Sequence, residues 1–175
     1  CTATGPDCLY VSPANHDFAP PFDRSVIYTD QAGDPRAVNV LIRQPQGAAL
    51  PMPVVIWSHG GTDGKTSPKK SMAEWSTVTA SAGYFSIAVA HAHRQDATRL
   101  CTSLGMDTET CHRFVPLNWD RPHDIRAVLN EVERMAAAEF RGVIDKDRIA
   151  VGGHSAGAGG AQTVAGAKRD FGNTV

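Results

Sequence analysis

The sequence lacks any apolar run that approaches the length needed to cross a bilayer, so we expect no membrane span among its 175 residues. It also lacks an excess of basic residues, since 17 Lys and Arg stand against 18 Asp and Glu and the net charge is -1. Proteins that bind nucleic acid usually carry a basic patch, so we expect no nucleic-acid partner. Hydrophobic residues make up 42% of the chain, which is ordinary for a globular protein, and the length is that of one domain.

Cysteine is scarce, and its spacing is unlike that of a metal site. The four cysteines form two close pairs, Cys1 with Cys8 and Cys101 with Cys111, and neither pair has the C-x-x-C spacing. Two local disulfides would fit a secreted or periplasmic protein, whereas four free thiols would fit a cytosolic one, and we favour the first. A chain that begins with Cys1 is also compatible with removal of a signal peptide, or with a lipid anchor at that residue.

Apolar patterning predicts a hairpin followed by three buried strands. Ser25–Thr29 and Ala37–Arg43 alternate apolar and polar residues on either side of the turn-rich segment Asp30–Pro35, which predicts an antiparallel pair. Continuous apolar runs, typical of strands buried on both faces, follow at Val54–Trp57, Tyr84–Ala90 and Asp147–Val151.

Two helical patterns and one long polar segment lie between the strands. Helical spacing is present over Ser71–Ala82 and, most clearly, over Asp120–Phe140. His91–Asn118 is polar and irregular, so we expect a long loop there, and its Cys101–Cys111 part is our candidate for one wall of the substrate site. Strands that alternate with helices after a hairpin predict an α/β domain with a mostly parallel sheet. We assign residues 1–24 to an N-terminal arm and residues 25–175 to this domain.

The most informative stretch is Asp147–Gln162, in which a strand-type run leads into G-H-S-A-G at 153–157 and then into small residues of helical character. A strand that turns sharply into a helix around G-x-S-x-G presents the serine hydroxyl above the sheet. Gly153 and Gly157 leave room where the turn crowds its neighbours. The amino end of the helix that follows favours developing negative charge. We therefore interpret Ser155 as a nucleophile rather than as part of a glycine-rich turn.

Four landmarks in this order resemble the α/β-hydrolase superfamily, and within it the serine esterases related to dienelactone hydrolase and platelet-activating-factor acetylhydrolase. They are Trp57–Gly61 (WSHGG), Ala92–Arg94 (AHR), Arg121–Ile125 (RPHDI) and Gly153–Gly157 (GHSAG). The resemblance implies an α/β-hydrolase fold in which residues 25–175 are the N-terminal part of a single domain. It also implies a serine carboxylic-ester hydrolase that acts on small-molecule esters without a cofactor.

The resemblance further implies an acyl-enzyme on Ser155 and an oxyanion hole made of the backbone N–H groups of Gly61 and Ala156. Two fixed donors of this kind stabilise the charge that acyl transfer puts on the carbonyl oxygen. The residues that would shape this site without reacting are His59, Gly60, Gly153, His154 and Gly157. Two other interpretations stay open: a peptidase or acyltransferase on the same fold, and a binding protein that has no activity.

The resemblance breaks after the serine. In this fold the triad acid and then the histidine follow the nucleophile, but the residues from Ser155 to Val175 include Asp170 and no histidine. We therefore expect the triad acid and histidine to lie outside this chain, on a C-terminal polypeptide that completes the fold.

Local histidines are the alternative to such a polypeptide. His59 is the best candidate for a local base, although we favour a structural role in which it holds the oxyanion loop by hydrogen bonds. His91 and His93 have the spacing of a metal pair, but no third ligand is evident, so we predict no metal site.

Overall fold

The structure is a computed structural model that describes residues 15–61, 67 and 70–167. The expected Cys1–Cys8 disulfide, the lipid anchor considered at Cys1 and the candidate acid Asp170 lie outside these residues.

Five strands form one mixed sheet. They are β1 (Phe22–Thr29), β2 (Pro35–Arg43), β3 (Met52–Ser58), β4 (Phe85–Ala90) and β5 (Ile144–Gly153). Their order across the sheet is β1-β2-β4-β3-β5. β2 pairs antiparallel with both β1 and β4, whereas β3 pairs parallel with both β4 and β5. The predicted N-terminal hairpin and the parallel strands that follow it are confirmed.

Helices cover the connections between the strands. They are α1 (Ala73–Ser81), α2 (Thr98–Leu104), α3 (Thr108–Phe114), α4 (Asp120–Ala137) and α5 (Ala156–Val164), and a π-helical turn (Val115–Trp119) leads into α4. The buried side chains of α4 include Val128, Val132 and Met135, and they pack on the same core as the central strands. Burial of each such side chain stabilises the fold by about 1.5–3 kcal/mol. Among the described helices, none combines the length and the apolar character of a membrane span.

The prediction of a long loop over His91–Asn118 is wrong, because this segment contains α2, α3 and the π-helical turn. Each of these helices has only seven residues, too few for an apolar period to stand out from the sequence. The predicted Cys101–Cys111 disulfide is present and joins the two helices. Together with Leu100 and Val115, the two cysteines form a small buried cluster of their own.

β5 is less buried than the sequence predicts. Ala150 is exposed, while Ile149 and Val151 are only partly buried. The reason is that β5 pairs with β3 alone, and no strand lies on its other side in the part of the chain that the structure describes. On α1, which packs on β4 and β3, Trp75 and Val78 are also exposed, by 58% and 63%.

Candidate active site

The turn between β5 and α5 holds Ser155 in a strained backbone conformation. Ser155 has φ 50° and ψ -119°, and of the described non-glycine residues only Met72 also has a positive φ. Such a conformation costs on the order of 1–3 kcal/mol, so the surrounding structure must enforce it. The serine is exposed, and it immediately precedes the first residue of α5, Ala156. The structure therefore places Ser155 at a tight strand-to-helix turn, beside backbone N–H groups that have no partner within the helix.

The two glycines that flank this turn press directly against the end of β3. A Cβ added to Gly153 would lie 2.6 Å from the carbonyl oxygen of Ser58. A Cβ added to Gly157 would lie 2.6 Å from the carbonyl oxygen of His59, and closer still to that of Ser58. The same Ser58 oxygen accepts a hydrogen bond of 3.1 Å from the backbone N–H of His154. Close backbone packing on β3 therefore fixes the serine turn.

The segment that follows β3 runs directly beside the serine. A Cβ added to Gly60 would lie 2.8 Å from Nδ1 of His154 and 3.5 Å from Cβ of Ser155. The next residue, Gly61, is exposed, and an added Cβ would meet nothing within 4 Å. We call residues 59–61 the oxyanion loop. The structure thus brings this predicted loop to the predicted nucleophile, while the role of the Gly61 and Ala156 N–H groups stays a prediction.

His59 and Arg121 both bind the backbone of the oxyanion loop. Nδ1 of His59 lies 2.7 Å from the carbonyl oxygen of Gly60, and its Nε2 accepts the backbone N–H of His91 at 3.2 Å. Since Nε2 is the acceptor, the ring proton is on Nδ1 and is donated to Gly60. Arg121 donates to the carbonyl oxygens of His59 and Gly60 at 2.5 and 2.8 Å. Both ring nitrogens of His59 are therefore engaged, which favours a structural role over that of a local base.

Beneath this loop lies a serine–histidine–aspartate series that the sequence analysis missed. Nδ1 of His91 is 2.8 Å from Asp124 Oδ2, and Nε2 of His91 is 2.7 Å from Oγ of Ser58. These distances equal those of a catalytic triad, but Ser58 and Asp124 are completely buried. No substrate can reach Ser58 in this position, so we interpret the series as structural. Both ring nitrogens of His91 are hydrogen-bonded in this series, so neither is free to bind a metal. Among the described residues, no three His, Cys, Asp or Glu side chains are grouped to hold a metal ion.

Asp124 gathers three further hydrogen bonds. Its Oδ1 accepts from the hydroxyl of Tyr28 at 2.8 Å and from Nε of Arg36 at 2.6 Å, while Oδ2 accepts from a terminal nitrogen of Arg36 at 3.0 Å. The only signal of this network in the sequence is the polar triplet Asp120, Arg121 and Asp124 at the start of an otherwise apolar helix face, and all three are buried. The network ties α4 to β1, β2 and the end of β4.

No protein-family model and no curated protein matches the sequence, but solved structures do. A bacterial heroin esterase superposes with a TM-score of 0.52 at 27% identity, over 82% of this chain and 38% of that one. A dienelactone hydrolase-like promiscuous phosphotriesterase, P91 from metagenomic libraries, superposes with a TM-score of 0.51 at 18% identity, over 83% of this chain and 54% of that one. The chain has the α/β-hydrolase fold. It spans 38% and 54% of the lengths of these two structures.

Burial sets the protonation of His59 and His91, the two central histidines of this site. Burial and the neighbouring His91 lower the pKa of His59 to about 4. Burial also lowers the pKa of His91, although the hydrogen bond to Asp124 acts in the opposite direction. For Asp124, burial would raise the pKa, but hydrogen bonds from His91 and Arg36 outweigh it and hold the pKa below its usual value. At neutral pH, His59 and His91 are therefore neutral and Asp124 is ionised.

These pKa shifts predict that the fold loses stability between pH 7 and pH 4.5. The unfolded chain binds a proton at His59 below its ordinary pKa of 6.5, whereas the folded chain does not do so until about pH 4. Unfolding therefore takes up protons in this window. The free energy of unfolding decreases as the pH is lowered from 7 to 4.5, by ~2 kcal/mol for His59. Asp124 does not add to the pH dependence of the free energy of unfolding in this window. A carboxylate whose pKa is lowered by folding stabilises the fold fully above the pKa that it has in the unfolded chain, and this stabilisation is lost only below that pKa.

Urea denaturation at a series of pH values between 4.5 and 7.5 measures this slope. We expect His59→Asn to reduce the slope and His112→Asn, at an exposed histidine in α3, to leave it as in the parent protein. An equal slope in His59→Asn and in the parent would contradict the assignment to His59.

Proposed function

We propose that this chain is the N-terminal part of a serine carboxylic-ester hydrolase that works through an acyl-enzyme on Ser155. The observation that carries the proposal is the exposed Ser155 in a strained turn, next to the glycine backbone of the oxyanion loop and the first turn of α5. Strain of this kind persists at functional sites because it presents a reactive group in a fixed orientation. The 27% identity to a bacterial heroin esterase supports an ester as the substrate.

In the proposed reaction, Oγ of Ser155 attacks the carbonyl carbon of a small-molecule ester. The bond from that carbon to the alcohol oxygen then breaks, and the alcohol leaves with the proton that the serine gave to a base. Water attacks the acyl-enzyme in the same way and releases the acid. The N–H groups of Gly61 and Ala156 would stabilise the negative oxygen in both steps, and removal of one such donor typically lowers kcat by about 10²–10³.

The base and its carboxylate partner are proposed to lie on a C-terminal polypeptide that completes the fold. Both ring nitrogens of His59 and His91 already have partners. This polypeptide would cover the side of β5 that has no partner among the described strands, and also the exposed Trp75 and Val78 on α1. The chain spans only 38% and 54% of the lengths of the two matched structures, which also supports a missing C-terminal part. Mass spectrometry under native conditions would detect such a polypeptide in the isolated protein.

We also propose a secreted or periplasmic location. The Cys101–Cys111 disulfide supports it, because disulfides persist in oxidising compartments.

A fluorophosphonate probe followed by intact-mass measurement tests the nucleophile in the protein as isolated. We expect one adduct per chain, its loss in Ser155→Ala, and its retention in Ser103→Ala, since Ser103 is an exposed serine in α2. An adduct that survives Ser155→Ala would overturn the assignment.

Substrates then separate the remaining alternatives. Hydrolysis of short p-nitrophenyl esters but not of peptide amides is the expected result, and the reverse would favour a peptidase. The absence of both adduct and hydrolysis would favour a binding protein on a hydrolase fold.

A further inference from the structure

We propose that Arg121 is a positioning residue that orients and polarises the Gly61 amide of the oxyanion loop. The inference rests on the proposed ester-hydrolase function, and it adds to that function a residue on α4 that does not contact the substrate. The sequence analysis assigned Arg121 no role.

The contact pattern supports this role, because one guanidinium binds two successive carbonyl oxygens. Arg121 donates to His59 O at 2.5 Å and to Gly60 O at 2.8 Å. The oxygen of Gly60 and the N–H of Gly61 belong to one peptide unit, in which the two groups point in opposite directions. Holding the oxygen against α4 therefore turns the Gly61 N–H away from that helix. This N–H donates no hydrogen bond to the described part of the chain, so it is available to an anion.

The charge of Arg121 adds a second effect. A cation that binds the oxygen of a peptide draws electrons from it and makes the N–H of the same peptide a stronger donor. Arg121 is only 4% exposed, so water screens this effect weakly. His59 Nδ1 donates to the same Gly60 oxygen at 2.7 Å and acts in the same sense.

The surroundings of Arg121 are unusual for a buried cation. Within the described residues it forms no ion pair with a carboxylate, and its Nε is buried without a hydrogen-bond partner. The nearby Asp124 is already bound by Arg36 and His91. A buried arginine normally requires a carboxylate partner, since an unpaired charge is costly to bury. The positive charge thus remains directed at the oxyanion loop instead of being neutralised by a carboxylate.

Two variants separate positioning from general support of the fold. Arg121→Met removes the charge and both hydrogen bonds, and we expect kcat for a p-nitrophenyl ester to fall about 10–100-fold with little change in KM. Arg121→Lys keeps the charge but lacks the rigid planar fork that holds two carbonyl oxygens in a fixed orientation, so an intermediate kcat is expected. The matched control is Arg113→Met, because Arg113 is 81% exposed and should not affect either parameter.

The amide proton of Gly61 gives a readout that does not depend on activity. In protein labelled with ¹⁵N-glycine, we expect this resonance to move upfield in Arg121→Met and, to a smaller extent, in Arg121→Lys, while the Gly105 and Gly142 resonances stay in place. An unchanged Gly61 resonance in folded Arg121→Lys would overturn the proposal, as would a rise in KM at constant kcat.

Failure of the proposed function would be recognised separately. If Ser155 takes no fluorophosphonate adduct while the Gly61 resonance still responds to Arg121, the ester-hydrolase function fails but the contact stands. If Ser155 is labelled and Arg121→Met retains its full kcat, only the role of Arg121 fails. If Arg121→Met does not fold, kcat and the Gly61 amide resonance are compared between Arg121→Lys and the parent protein instead.

Discussion

Replacing Gly157 by alanine should destabilise the protein by more than about 3 kcal/mol and leave little of it folded. The new Cβ would lie 2.6 Å from the carbonyl oxygen of His59 and closer still to that of Ser58. Both obstacles are backbone atoms, so no side chain can rotate away. Ser58 is also the register partner of Gly153 in the β3–β5 pair, so moving it would disturb the sheet. Overpacking usually costs about 1–3 kcal/mol where side chains can adjust, and here they cannot.

The midpoint of urea denaturation measures this effect. If the variant does not unfold reversibly, the yield of folded protein is compared instead. Gly61→Ala is the matched control, since an added Cβ there meets nothing within 4 Å and the residue is exposed. It should change the free energy of unfolding by less than about 0.5 kcal/mol. If Gly157→Ala were as stable as Gly61→Ala, α5 would not be packed against the end of β3 as described.

Local patterns explain which parts of the fold could be predicted from the sequence. The hairpin, the parallel strands and the turn at Ser155 depend on short-range signals, namely alternation, apolar runs and the glycine spacing around the serine. The two short helices on either side of the Cys101–Cys111 disulfide carry no such period. Their stability comes from the disulfide and a small cluster, which only the folded chain assembles.

The buried polar residues could not be predicted for a different reason. Asp124 and Arg121 are adjacent in space to residues 88 and 62 positions away in the chain, Arg36 and His59. Their partners depend on how α4 crosses the sheet, which no local pattern contains. An acidic and a basic residue at the start of a helix usually indicate a solvated first turn, so the sequence gives no reason to expect that both are buried.

Replacing Asp124 by asparagine should destabilise the fold by about 3–5 kcal/mol, the usual cost when one partner of a buried ion pair is removed. The side chain is 0% exposed, and its two oxygens accept both Arg36 hydrogen bonds and that of His91. Asparagine keeps the size but has one acceptor oxygen and adds a donor that would face Arg36 or His91. It also leaves Arg36, 7% exposed, with the more distant Asp120 at 3.4 Å as its one anionic partner among the described residues.

The decisive comparison is the double variant Asp124→Leu with Arg36→Met. Removing both charges avoids an unpaired buried ion, so we expect the double variant to be more stable than Asp124→Leu alone, by at least 1 kcal/mol. Glu109→Gln provides the surface control, because the Glu109–Arg113 pair is about 80% exposed on both sides and should contribute less than 1 kcal/mol. Equal costs for Asp124→Asn and Glu109→Gln would mean that the carboxylate is solvated in solution. A large cost with recovery in the double variant would instead show that the buried Asp124–Arg36 pair links the start of α4, where Arg121 also lies, to β2.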